Sequence, residues 1–182
     1  GVADNSPAPP TNLGTQAVSP NGISLTWTDT SSSELGFQIE RRLGEGNWSL
    51  LATPGANATS YADTGLSEAV TYRYRIRAYN TAGVSEYTPA VTAIVLQAPS
   101  NLTASVDLPV QRIDLSWTDN SQTETAYVVE RKTDTGGTWA EIANLAANVT
   151  TYADTGLSAP VTYVYRVRAT NAAGYSAYSK EV

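Results

Sequence analysis

The chain repeats itself once, and this duplication constrains its fold more than any other feature of the sequence. The heptapeptide YADTGLS occupies Tyr61–Ser67 and returns unchanged at Tyr152–Ser158, 91 residues later. Trp27 and Trp117, in the related stretches ISLTWTD and IDLSWTD, lie 90 residues apart. Because a unit of about 90 residues is long enough for a hydrophobic core of its own, each copy is expected to be a complete domain.

The spacing between matched residues grows along the chain, from 89 at Leu13 and Leu102 to 90 and then 91. Both extra residues of the second copy fall in segments rich in Gly, Pro, Asn or Asp, which are typical of turns. Insertions confined to turns indicate two diverged copies of one fold. We predict a linker stub at residues 1–8, a first module at 9–97 and a second at 98–182.

Each copy alternates between apolar and polar residues, the pattern of half-buried β-strands. In TYRYRIRAY, residues 71–79, tyrosine, isoleucine and alanine share one face and three arginines share the other. We predict seven strands in the first copy, at about 11–18, 22–29, 36–43, 48–53, 59–62, 70–80 and 84–95, with equivalents in the second. Seven short strands with a buried tryptophan favour an all-β antiparallel sandwich.

The order of motifs in each copy resembles the fibronectin type III domain and covers nearly the whole chain twice. The resemblance depends on the tryptophan of the second strand, GFxIERR, YADTGL and TYxYRxRAxNxAG. It implies two seven-stranded immunoglobulin-like sandwiches in tandem. It also implies six structural core residues: Trp27, Leu66 and Tyr72 in the first copy, and Trp117, Leu157 and Tyr163 in the second.

The Asp-Thr-Gly within the repeat is also the tripeptide of pepsin-like proteases, so a catalytic interpretation must be weighed. Such a dyad needs two carboxylates about 3 Å apart that share one proton. Asp63 and Asp154 hold equivalent places in successive modules, and we expect about 33 Å between them from the length of a strand. We therefore predict a structural corner, where the Asp side chain folds back on the backbone, Gly65 takes a positive φ and Leu66 enters the core.

Composition excludes several classes of function. The chain has no Cys, His or Met, which removes disulfides, thiol nucleophiles, His-based metal sites and Ser-His-Asp triads. Eleven basic residues against 17 acidic ones, with no basic patch, argue against nucleic acid as a partner. No apolar run approaches the ~20 residues of a membrane span. We predict a non-enzymatic chain, monomeric and without membrane insertion.

The polar faces of the predicted strands carry two further candidate sites. Glu40 and Arg42 point outward beside Arg73, Arg75 and Arg77, which predicts cross-strand ion pairs, with an anion-binding ladder as the alternative. The second copy offers Glu130, Lys132, Arg166 and Arg168 in the same places.

Trp48 and Trp139 are expected on the short strand that follows a Gly-rich turn in each copy. Four tyrosines are expected near the loop between the sixth and seventh strands: Tyr79, Tyr87, Tyr175 and Tyr178. We interpret the two tryptophans as packing at the rim of the core, with weak polysaccharide contact as the alternative.

Acidic residues cluster in two loops, Asp29 with Glu34 and Asp119 with Glu124. Because calcium takes six to eight oxygen ligands, these clusters are interpreted as turn residues, and no cofactor is predicted. One variant stays open, in which a calcium ion bridges the Asp63 loop of the first module and the Asp119 loop of the second.

The sequence pattern WTDxSxxExxxxIERR followed by YADTGL is similar to that of bacterial fibronectin type III domains, which accompany the catalytic modules of secreted glycoside hydrolases. The resemblance implies a secreted or cell-surface protein in which this pair is a spacer that contacts neighbouring modules of its own polypeptide. Only Gln97–Ser100 is available as a linker, and Pro99 restricts it, so we expect a semi-rigid joint. Direct binding to polysaccharide, or adhesion at a cell surface, is the alternative function.

Overall fold

A computed structural model describes residues 5–18, 21–68, 70–172 and 174–182. Within those residues the chain forms fourteen β-strands and one 3-10 turn at Leu108–Val110, without an α-helix. It divides near residue 95 into two compact units of seven strands each. The predicted all-β class and the seven strands of each copy are confirmed.

The first unit is a sandwich of two antiparallel sheets. Its strands are β1 (Thr11–Val18), β2 (Gly22–Thr28), β3 (Gly36–Leu43), β4 (Ser49–Ala52), β5 (Ser60–Asp63), β6 (Thr71–Tyr79) and β7 (Val91–Ile94). One sheet has the order β1-β2-β5 and the other β4-β3-β6-β7. The link from β5 to β6 therefore carries the chain from one sheet to the other, at the repeated heptapeptide.

The second unit repeats this topology. Its strands are β8 (Ser100–Asp107), β9 (Arg112–Thr118), β10 (Ala126–Thr133), β11 (Ala140–Ala146), β12 (Thr151–Asp154), β13 (Tyr163–Asn171) and β14 (Gly174–Tyr175). They form the sheets β8-β9-β12 and β11-β10-β13-β14. The same order of strands in both units is what the duplicated sequence predicts.

The two cores follow from the alternation of side chains. Every second residue of β6 is buried, while the arginines between them are only half-buried. Trp27 packs its edge against Phe37 with ring centroids 5.5 Å apart, and Trp117 lies 5.8 Å from Tyr127. Each sandwich thus has its own aromatic centre, with one tryptophan from the three-stranded sheet.

The six residues expected at structural core positions lie inside the sandwiches or at their margin. Tyr163 is partly buried against the second core. The other five are at most 8% exposed: Trp27, Leu66, Tyr72, Trp117 and Leu157.

The prediction of a last strand at residues 84–95 of the first copy is wrong for the first half of that range. Only Val91–Ile94 forms a strand. In the preceding segment, Ser85 Oγ and Thr88 Oγ1 accept hydrogen bonds from the backbone N–H groups of Ala78 (2.9 Å) and Ile76 (3.2 Å). Side-chain hydroxyls therefore take the place of strand carbonyls, and Pro89 has no N–H to donate.

The segment before β1 is packed, although we predicted a linker stub through residue 8. Asn80 Nδ2 donates a hydrogen bond to the Asn5 carbonyl at 2.9 Å, and Thr30 Oγ1 donates to the Pro9 carbonyl at 2.6 Å. Pro7 and Pro10 are buried. The apolar prolines and these carbonyl contacts attach residues 5–10 to the first module. Residues 1–4 of the predicted stub lie outside the described part of the chain.

Candidate functional site

The repeated heptapeptide forms the corner between the two sheets of each module. Gly65 and Gly156 have φ angles of 71° and 70°, as predicted for a turn that favours glycine. The N–H of Ser67 donates to the Tyr72 hydroxyl at 2.9 Å, which ties the loop to the start of β6. Leu66 is buried beneath this contact. The corner is therefore held by one tyrosine hydroxyl and one core leucine.

The aspartate of the corner does not fold back on its own backbone, and that part of the prediction is wrong. Arg41 Nη1 donates to both oxygens of the Asp63 carboxylate, at 2.9 and 2.8 Å. The Tyr74 hydroxyl donates to Oδ2 at 2.8 Å. Period-two alternation turns Arg41 and Tyr74 toward the interior, where a buried carboxylate requires partners. Asp63 thus links the three-stranded sheet to the four-stranded one.

The second module repeats this network with nearly the same geometry. Arg131 Nη1 lies 3.0 and 2.8 Å from the two oxygens of Asp154, and the Tyr165 hydroxyl lies 2.8 Å from Oδ2. Burial and then the hydrogen bond to the aspartate raise the pKa of both tyrosines. Each carboxylate is therefore matched by a guanidinium and a phenol of its own module. An aspartic-protease dyad would instead require a second carboxylate at that distance.

The outward face of the first four-stranded sheet carries the predicted cross-strand pairs. Glu40 lies directly opposite Arg75 in the register of β3 and β6, and their side chains form an ion pair at 2.6 Å. Glu130 and Arg166 are paired in the same way in the second module, also at 2.6 Å. Burial disfavours the charge of each glutamate, but hydrogen bonds from a tyrosine and an arginine outweigh it and lower the pKa.

Aromatic rings and guanidinium groups alternate across this face, an arrangement that we call the cation–π ladder. In the first module the Arg75 guanidinium lies 4.4 Å from the ring centroid of Trp48 and 3.9 Å from that of Tyr87. In the second, Arg166 lies 4.1 Å from Trp139 and 3.7 Å from Tyr178. Each tryptophan is half-buried just before its strand, β4 or β11, rather than within it. Cations therefore cover part of both candidate sugar-binding rings.

Sequence reasoning missed the ladder because it treated the charged and aromatic residues as separate features. The signal lay in the repeated pattern Ser-x-Tyr-Ser/Thr, at residues 85–88 and 176–179. Its serines and threonine bind the backbone of the neighbouring strand, as Ser176 and Ser179 do for Ala169 and Val167. The tyrosine between them then faces outward, beside the arginines.

Asp29 and Asp119 make the local contacts expected of turns, whereas the buried Glu34 binds a loop 23 residues further along the chain. Asp29 Oδ1 accepts a hydrogen bond from the N–H of Ser31 at 3.0 Å. Asp119 accepts bonds from the Ser121 N–H and from the Tyr127 hydroxyl. Glu34 accepts one from the N–H of Asn57, which has a φ of 61°. A hydrogen bond from its own backbone N–H, and then that from Asn57, lower the pKa of Glu34 despite its burial.

No three acidic side chains within the described ranges are grouped closely enough to hold a metal ion. Both Asp63 oxygens already accept hydrogen bonds, so little acceptor capacity remains for a cation. The bridging calcium stays a prediction.

A family model for the fibronectin type III domain matches residues 8–94 and again residues 97–182. The chain belongs to the fibronectin type III family. The match assigns both sandwiches to a class of non-catalytic modules, and it agrees with the two buried tryptophans and with the Tyr72 contact at the corner of the first module.

Relatives of this tandem fibronectin type III chain come from bacteria and from animals. Exoglucanase B of Cellulomonas fimi is 30% identical over 92% of this chain, and Protein sidekick-2 of Gallus gallus is 28% identical over 98%. This chain spans only 15% and 9% of the length of those two proteins. A two-domain fibronectin type III segment of chicken tenascin covers 96% of the chain at 18% identity, with a TM-score of 0.47. Among the described residues, no helix is long and apolar enough to cross a membrane.

Proposed function

We propose that this fibronectin type III pair is a non-catalytic spacer of a larger extracellular bacterial protein, a polysaccharide-degrading enzyme, in which it holds neighbouring modules at a fixed separation. The observation that carries the proposal is the short connection between the two sandwiches. Val95–Pro99, five residues, separate β7 from β8, and they span at most about 17 Å even when fully extended.

Two further observations support the proposal. The similarity to Exoglucanase B of Cellulomonas fimi, 30% over 92% of this chain, supports a bacterial polysaccharide-degrading context. Pro99 is buried and restricts the residue before it, which disfavours a freely jointed linker. Secretion or display at the cell surface follows from the same proposal, since a polysaccharide-degrading enzyme meets its substrate outside the cell.

The spacer role is tested by measuring the distance that the pair imposes on flanking domains. The 182-residue chain is placed between two fluorescent proteins, and energy transfer is compared with that across a Gly/Ser linker of equal length. We expect a narrow distribution of distances that is insensitive to viscosity, against a broad one for the flexible control. A distribution as broad as that of the control would refute a fixed separation.

Direct attachment to polysaccharide through Trp48 and Trp139 is the second candidate function. The rings of these two tryptophans are half-buried at equivalent positions of the two modules, which favours attachment to polysaccharide, although arginines cover part of each ring. The test is retention of the pair on insoluble cellulose, chitin and xylan, compared with a Trp48→Ala/Trp139→Ala double variant. Robust retention that is lost in the double variant would favour attachment over a pure spacer. Retention that is absent in both proteins would leave the spacer role alone.

A further inference from the structure

Positive charge is concentrated on one face of the first module. Four of its five basic residues lie on the outer face of the four-stranded sheet: Arg42, Arg73, Arg75 and Arg77. Two glutamates accompany them, Glu40 on β3 and Glu45 at the β3–β4 turn, so the face carries a net charge of about +2 on a chain of net charge -6. The net charge of this face is therefore positive, whereas that of the whole chain is negative.

Two of these arginines lie directly opposite each other. Arg42 of β3 and Arg73 of β6 are partners in the strand register, an arrangement that is destabilising for like charges. One carboxylate bridges both, because Glu45 Oε2 lies 3.1 Å from Arg42 Nη2 and Oε1 lies 2.6 Å from Arg73 Nη2, and it offsets one of their two charges. The Glu45 side chain is 72% exposed at the tip of the turn. The arginine side chains are only 20% and 34% exposed, but the carboxylate faces solvent, so its ion pairs contribute little stability and an outside carboxylate can replace it at small cost.

The surroundings of the arginine pair combine charge with apolar ring surface. The Arg42 guanidinium lies 4.9 Å from the ring centroid of the half-buried Trp48. The hydroxyl residue Thr92 of β7 lies opposite Arg73 in the register and is exposed. A carboxylated sugar offers the complement, namely an apolar ring face, hydroxyl groups and a carboxylate that two arginines can bind.

We propose that Arg42 and Arg73, with Trp48, form a binding site for the carboxylates of an acidic polysaccharide, and that Glu45 occupies the site as an internal competitor. The second module lacks the site. Lys132 replaces the first arginine, and its partner in the register is Val164. The proposal therefore predicts one site in each chain, in the first module. It is independent of the spacer role, so its failure would leave that role standing.

The test is affinity electrophoresis and titration calorimetry of the whole two-module chain with de-esterified polygalacturonate at 50 mM NaCl. We expect weak binding by the unmodified chain, binding about two- to fivefold tighter in Glu45→Gln, and binding at least about tenfold weaker in Arg73→Gln. Affinity should fall as salt is raised. Should Arg73→Gln not fold, Arg73→Lys keeps the charge but loses the forked geometry, and it should bind less tightly than the unmodified chain.

Matched variants separate this site from general electrostatics. Glu86→Gln removes one exposed carboxylate from the same module and should not tighten binding, whereas Arg112→Gln removes one cation from β9 and should not weaken it. The proposal is overturned by an absence of binding to polygalacturonate, or by equal effects of Glu45→Gln and Glu86→Gln. Equal affinity for poly-glutamate of the same charge would also overturn it, because the partner would then be an acidic peptide rather than a sugar.

Discussion

Single residues decide how the two sheets of each sandwich are joined, and Asp63 is the clearest case. Its carboxylate is buried at the end of β5 and binds a guanidinium and a phenol from the opposite sheet. Removing one member of a buried charged network leaves the other members without compensation, which costs more than the loss of an exposed pair. The role of Asp-Thr-Gly in this chain is therefore to connect sheets.

We expect Asp63→Asn to lower the free energy of unfolding of the first module by about 2–3 kcal/mol, because the half-buried Arg41 loses its counter-charge and the buried Tyr74 hydroxyl loses a charged acceptor. Asp154→Asn should have a similar effect on the second module. Denaturant unfolding followed by tryptophan fluorescence measures both. Glu86→Gln, which removes an exposed carboxylate from the first module, is the control and should change little. An Asp63→Asn variant as stable as this control would contradict the assigned role.

The paired glutamates of the outer faces predict a dependence of stability on pH. The pKa of Glu130 is held below its ordinary value of 4.5, so the ionised form is favoured in the folded state. Its contribution is complete above about pH 5 and is lost as the pH falls through the folded pKa. We expect the melting temperature to fall between pH 5 and about pH 3, and less steeply in a Glu40→Gln/Glu130→Gln variant. Equal slopes in both proteins would contradict this assignment.

At the scale of elements, alternation and turn composition predicted most of the strands. Period two located β2, β3 and β6 to within about one residue, since buried side chains must alternate along a half-exposed sheet. The last strand of each module was not predictable in this way. In the Ser-x-Tyr-Ser/Thr segment, side-chain hydroxyl groups replace strand carbonyls as acceptors of hydrogen bonds from the neighbouring strand. The periodicity of apolar residues does not reveal this replacement.

The hydroxyls of this segment should be measurable contributors to stability. We expect Ser85→Ala and Thr88→Val each to cost about 1–2 kcal/mol, because the buried N–H groups of Ala78 and Ile76 lose their acceptors. Hydrogen exchange should accelerate at those two amides before it does elsewhere in β6. Thr81→Ala, an exposed loop substitution, is the control. An unchanged exchange rate of the Ala78 amide in Ser85→Ala would contradict the role of the Ser85 hydroxyl as its hydrogen-bond acceptor.

The candidate sites were predicted less completely than the strands. Ion pairing between β3 and β6 followed from the strand order of the family, but the particular partners, Glu40 with Arg75 and Arg42 with Arg73, depend on a register that no sequence pattern specifies. The link from Asp63 to Arg41 was also hidden, because the two residues are 22 positions apart on different sheets. Contacts between sheets depend on the packing of the sandwich, which local periodicity does not encode.

For the whole molecule, two separate cores predict two separate unfolding transitions. The first core contains Trp27 and Leu66, and the second contains Trp117. We expect Leu66→Ala to destabilise the first module by about 2–4 kcal/mol through the cavity it leaves, while the second transition stays in place. Calorimetry of the full chain, with Leu157→Ala as the reciprocal variant, measures this. A single transition that shifts as a unit would indicate that the modules fold together.

The hydroxyl-lined segment also protects part of one edge of the four-stranded sheet. β7 and β14 are the outer strands of their four-stranded sheets, and an outer strand with free hydrogen-bonding groups recruits other chains. Here the approach to β7 is interrupted by Pro89 and by side chains that bind back onto β6. At Ile76 and Ala78, β6 therefore offers no free backbone N–H group to a neighbouring chain, because hydroxyl groups of the same module already accept both hydrogen bonds.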